Sequence, residues 1–123
     1  MHYIRIWADA DGESHLEPVS LDEETSPAEP GVAPLVVASA VPVDRVHFVT
    51  VRAATQAPDW HTGPRRQFVT FLTGGVTIET SDGARQDLDA GSTVLVEDLV
   101  GRGHVTTHAP GDQRVLVIPL DPG

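Results

Sequence analysis

The chain of 123 residues and 13.1 kDa carries 18 acidic residues against 8 basic ones, for a formal net charge of −10 and a pI near 4.7. Every basic residue is Arg and no Cys occurs, which excludes Schiff-base and thiol chemistry, disulfides and cysteine-ligated metal. The acidic balance speaks against nucleic acid and anionic membranes as partners, and the length suits a single domain around one core.

In chain order, Met1-His2-Tyr3-Ile4-Arg5 has no signal-peptide pattern, and no apolar run approaches the roughly 20 residues of a membrane helix. A cytoplasmic chain is expected. Residues 3–7 alternate and predict a short strand. Residues 1–29 hold 8 acids against Arg5 alone, while the other 94 residues hold 10 acids against 7 arginines. The stretch 23–34 contains Pro27, Pro30, Gly31 and Pro34, which rules out a regular helix or an interior strand there. It reads as an acidic loop, either a solvated surface or a lid over a site. Residues 35–41 form a second candidate strand.

From residue 45 the pattern becomes regular. Runs at 45–52, 67–72, 76–80, 92–96, 103–108 and 115–120 are rich in Val, Thr, Ile and Phe, and Gly, Pro and Asp separate them. Ser81-Asp82-Gly83 suits a tight hairpin. No twelve-residue stretch shows helical spacing, so the chain predicts an all-β antiparallel sandwich or small barrel with little helix. It divides into 1–44, the N-terminal strands and acidic Pro-rich loop packing on the barrel, and 45–123, the barrel itself, within one domain. An isolated early strand at 3–7 offers an edge to a second copy and predicts a homodimer.

Side chains two apart in a strand share a face, so His104, Thr106 and His108 point the same way. His61 lies in the turn-rich Trp60-His61-Thr62-Gly63-Pro64, which leads into a strand carrying Gln67, Val69 and Phe71 on one face.

The segment from Trp60 to Gln67, followed after six residues by Gly74, resembles the first conserved motif of the cupin superfamily. That motif has two histidines flanking one residue, a glutamate four positions on, six residues and a glycine. The segment from Gly91 to His108 resembles the second motif: a glycine, five residues, a turn, a histidine, three residues and asparagine. The resemblance covers about half the chain and implies a jelly roll with its site in the lumen. Carried over by position, His61 takes the first histidine, Gly63 the second, Gln67 the glutamate, His104 the histidine of the second motif and His108 the asparagine. The turn 97–103 is two residues longer than the usual pattern and lacks its proline. Where metal-binding cupins supply three histidines and a glutamate, two imidazoles and one amide remain.

Three readings follow. In the first, an isomerase, cyclase or dehydratase works on a small organic molecule by acid–base chemistry, with His61, His104 and Gln67 as catalytic residues. In the second, one divalent transition metal sits on His61, Gln67 and His104 and supports, for instance, a dioxygenase. Four strand residues place the His108 Cα about 13 Å from that of His104, too far for ligation shared with it. The third is a small-ligand-binding cupin without catalysis. The substrate-binding candidates are Arg65, Trp60, Phe71, Asp98 and His108: Arg65 as an anchor for an anion, Trp60 and Phe71, with Tyr3, as walls, and Asp98 or Glu97 as the carboxylate that orients a histidine.

Overall fold

The computed structural model describes residues 1–26, 29–38, 40–54 and 57–120. Short alternating runs cut by turn residues give β1 (His2–Ala8), β2 (Ser14–Ser20), β3 (Glu23–Thr25), β4 (Val36–Ala38), β5 (His47–Val51), β6 (Gln67–Phe71), β7 (Val76–Thr80), β8 (Arg85–Leu88), β9 (Thr93–Val96), β10 (His104–His108) and β11 (Gln113–Pro119). Among the described residues there is no helix, hence none long and apolar enough to cross a membrane.

A six-stranded sheet, ordered β2-β1-β9-β6-β11-β5, faces a three-stranded sheet, β10-β7-β8, and β3 and β4 form a separate hairpin. This is an all-β, jelly-roll-like sandwich whose two sheets do not close into a barrel. All pairings are antiparallel except β1 with β9, which run parallel with Ile4 opposite Val94 and Ile6 opposite Val96. Register sets the inward residues in rows: Ile6, Val96, Gln67 and Pro119 follow one another across four strands, and Ile4, Val94, Val69 and Val117 make the next row. The core joins Ile4, Ile6, Phe71, Val94, Val96 and Val115 of the large sheet to Val76, Ile78 and Leu88 of the small one.

Two expectations change here. The early strand is not isolated, because β1 has β2 on one edge and β9 on the other. The edge it was expected to offer a second copy is therefore taken within its own chain. The acidic stretch 23–34 is not all loop, since Glu23–Thr25 pairs with Val36–Ala38 outside the main sheets.

Candidate functional site

Between the sheets lies a cavity of about 280 Å³. Ten of its sixteen lining residues are Val, Ile or Phe, and the polar ones are His61, Gln67, His104, Thr106 and His108. None is Arg, Lys, Asp or Glu. A dry apolar wall with a few convergent polar groups is the usual form of a small-molecule site. A larger space of about 440 Å³ is lined by Met1, His2, Tyr3, Leu21, Phe68, Ser92 and Thr93 among others, and shares no lining residue with the first.

The backbone brings His61 and His104 together. The two residues exchange a pair of backbone hydrogen bonds, His61 N to His104 O at 3.1 Å and His104 N to His61 O at 2.9 Å. Gly103 makes this pairing possible: its φ is +74°, and a Cβ there would run into the His61 carbonyl. The two imidazoles end 4.6 Å apart between centroids, tilted by 54°. His61 is exposed at the mouth, whereas His104 is only 5% exposed.

Hydrogen bonds fix the ring protons. His104 Nδ1 lies 2.6 Å from Oδ2 of Asp98, which is 0% exposed, so Nδ1 donates to the carboxylate. His61 Nδ1 lies 3.0 Å from the Asp59 carbonyl, which can only accept. His108 Nδ1 lies 2.8 Å from Oε1 of Gln113, whose Nε2 donates to Gly75 O at 3.1 Å and so sets the amide's orientation. Each ring therefore carries its proton at Nδ1, and in its neutral form presents the Nε2 lone pair. Asp98 Oδ1 is buried with no hydrogen-bond partner among the described residues.

The donor set does not fit the four-ligand metal site that the cupin resemblance implies. Among the described residues no three His, Cys, Asp or Glu side chains are placed to hold a metal ion. Gly63, at the position of the second histidine, is buried, and a Cβ there would collide with Val96 Cγ1. Two imidazoles and the Gln67 amide supply no anionic ligand, so no step is derived through a metal.

Of the substrate-binding candidates, Phe71 and His108 line the cavity. Trp60, 48% exposed, and Arg65, also exposed, lie outside its lining. Of the two carboxylates expected to orient a histidine, Asp98 is the one set behind His104, on its Nδ1 and outside the cavity lining. Tyr3 is edge-on to Phe68 at 5.2 Å, away from the cavity. Glu97 turns outward between Arg5 Nε at 2.5 Å and Arg66 Nε at 2.6 Å. Burial pushes its carboxyl up, but the two arginines outweigh this and hold it below the ordinary 4.5. Sequence reasoning missed Gln113, which is 2% exposed and carries no local signal of its long-range partners.

No family model matches the chain, and no curated protein does. Among solved structures, the crystal structure of protein NMB1881 from Neisseria meningitidis is similar at 18% identity with a TM-score of 0.47. The match covers 64% of this chain and 79% of that one.

Proposed function

We propose that the chain is a small cupin that catalyses proton transfer on a small neutral organic molecule: an isomerisation, a cyclisation or a dehydration. The observation that carries this reading is the buried Asp98–His104 pair, whose ring borders an apolar cavity beside a second imidazole. Asp98 takes the Nδ1 proton of His104 in a hydrogen bond, orients the ring and stabilises the imidazolium that forms when Nε2 accepts a proton from substrate. The His104 imidazolium then returns that proton from Nε2 to the other carbon or to the leaving oxygen, while His61, presenting its Nε2 lone pair, accepts a hydrogen bond from the substrate. In a dehydration the carbon–hydrogen pair forms the double bond and the oxygen leaves as water. Gln67, in the row of Ile6 and Val96, offers its amide as a neutral hydrogen-bond partner to a carbonyl or hydroxyl. The apolar walls exclude water, which strengthens each of these polar contacts.

The test uses a panel of neutral hydroxy-carbonyl compounds. Those that bind, by protein-observed NMR, are incubated with the chain in D2O. At least one is expected to incorporate deuterium or to be converted, and His104→Ala should slow this by roughly 10²- to 10⁴-fold with the folded spectrum retained. If every bound compound comes back undeuterated and unchanged, the chain is a ligand-binding module and the catalytic reading fails.

A further inference from the structure

The end of the cavity away from His61 carries polar groups that the proton-transfer chemistry does not use. β10 starts at His104, opposite His61, and runs away from the mouth with Thr106 and His108 on the same inward face. At about 3.3 Å per residue, His108 is about 13 Å from His104 along the strand. Its ring is built in: Phe71 meets it edge-on at 6.4 Å, and Gln113 fixes Nδ1 while reaching Gly75 O and Ala109 O with its own nitrogen. Gln113 can seat there because residue 74 is Gly, where a Cβ would collide with the amide. Since Nδ1 is taken, Nε2 is the polar atom of the ring left to an occupant, and it makes no hydrogen bond to another described residue. Between the two polar ends the lining is Val49, Val51, Val69, Ile78, Val94 and Val115.

We propose that Thr106 and His108, backed by Gln113, form a second polar subsite that binds a hydrogen-bond donor at the far end of the ligand. The ligand class is a neutral, elongated molecule with an apolar middle and a hydroxyl or amide N–H at each end. The proposal rests on the functional reading only in placing the reacting end at His104. At the roughly 30 Å³ a water occupies in the liquid, the cavity holds about nine or ten non-hydrogen atoms. An eight-carbon chain with a hydroxyl at each end is of that size. The absence of Arg and Lys from the lining sets the ligand's charge: a carboxylate would enter a neutral apolar space without a cationic partner.

Calorimetry with three probes tests this: octanediol with terminal hydroxyls, octanol, and suberate, the dicarboxylate of the same length. Octanediol should bind the wild-type chain about fivefold more tightly than octanol, the worth of one net hydrogen bond, and suberate at least tenfold more weakly than the diol. His108→Leu should erase the difference between diol and octanol. In the wild-type chain, which needs no variant to fold, the nitrogen-15 resonance of His108 Nε2 should move with the diol and not with octanol. Equal binding of the two alcohols, an unmoved His108 resonance, no binding of the diol, or suberate as the tightest probe would each overturn the subsite. These readouts are affinities and shifts, so they stand or fall apart from the deuterium test of catalysis.

Discussion

Asp98 is the residue whose chemistry is easiest to isolate. Its Oδ2 accepts from His104 Nδ1, while Oδ1 is buried without a partner. In Asp98→Asn the amide can lie two ways. If its oxygen keeps the His104 bond, the NH2 is stranded where Oδ1 had no partner, at a cost of about 1–3 kcal/mol. If the NH2 faces the ring it must donate to Nδ1, and the ring proton moves to Nε2, where the proposed base needs its lone pair. The expected outcome is a loss of turnover of roughly 10²- to 10⁴-fold with octanol affinity kept within about twofold. Nitrogen NMR of His104 should report which tautomer results, and a ring still protonated at Nδ1 with turnover unchanged would show Asp98 to be merely structural. The inward direction of His104, Thr106 and His108 is legible in the sequence because strand parity is local. The placing of Asp98 behind the ring is not, because it depends on how the turn between residues 98 and 104 folds back, with Gly101 and Gly103 both at positive φ.

At the scale of elements, the two sheets are tied where the β1–β2 turn meets the β7–β8 hairpin. Ser14 and Ser81 exchange hydrogen bonds, and Ser14 Oγ reaches the carbonyl of Gly103, next to His104. Beside them His15 contacts Asp9 through Nε2 at 2.7 Å and Asp82 through Nδ1 at 3.0 Å, with Trp7 stacked on the ring at 4.7 Å and Arg5 over Trp7. Two carboxylates on the two ring nitrogens require the doubly protonated imidazole. The Asp9 hydrogen bond, with help from Asp82 and against desolvation, raises the His15 pKa above 6.5. The same bond lowers Asp9 below 3.8; at Asp82 burial acts upward, but Thr80, Ala84 and His15 carry it below 3.8. The His15 contribution is complete below pH 6.5 and is lost as pH rises through its raised folded-state value. The contributions of Asp9, Asp82 and Glu97 are complete above about 4.5 and are lost as pH falls through their lowered values. Urea midpoints measured against pH should therefore plateau between about 4.5 and 6.5 and decline on either side, and His15→Gln should flatten the alkaline decline. An alkaline limb unchanged in that variant would remove the cluster from the account.

β2 and β8 escaped sequence reading for reasons visible at this scale. Both are edge strands: Pro18, opposite Ile4, is tolerated only on such an edge, and Arg85–Leu88 is exposed and polar over three of its four residues. The sandwich itself was legible from the density of short β-rich runs and turns, whereas the parallel pairing of β1 with β9 joins segments some ninety residues apart and has no local signature.

For the whole molecule the governing quantity is the charge of −10, set around a cavity whose lining holds no formal charge. Folding draws a net charge of −10 into a small volume, so mutual repulsion of the carboxylates opposes the compact state. The ion pairs that counter it are mostly exposed, such as Arg52 with Asp112 and Arg85 with Glu79, and exposed pairs contribute little each. Salt weakens both effects, but the repulsion is summed over many distant charges, and the Debye length falls from about 30 Å at 0.01 M to about 8 Å at 0.15 M. The repulsive part is lost first. Over that range of sodium chloride the melting temperature should rise by a few degrees, roughly the effect of 1 kcal/mol in a domain of this size. Octanediol affinity, set inside by uncharged groups, should stay within about twofold over the same range. A melting temperature that falls with salt would mean that local pairs outweigh the field. A diol affinity that follows the salt would place a charge at the cavity that the lining does not contain.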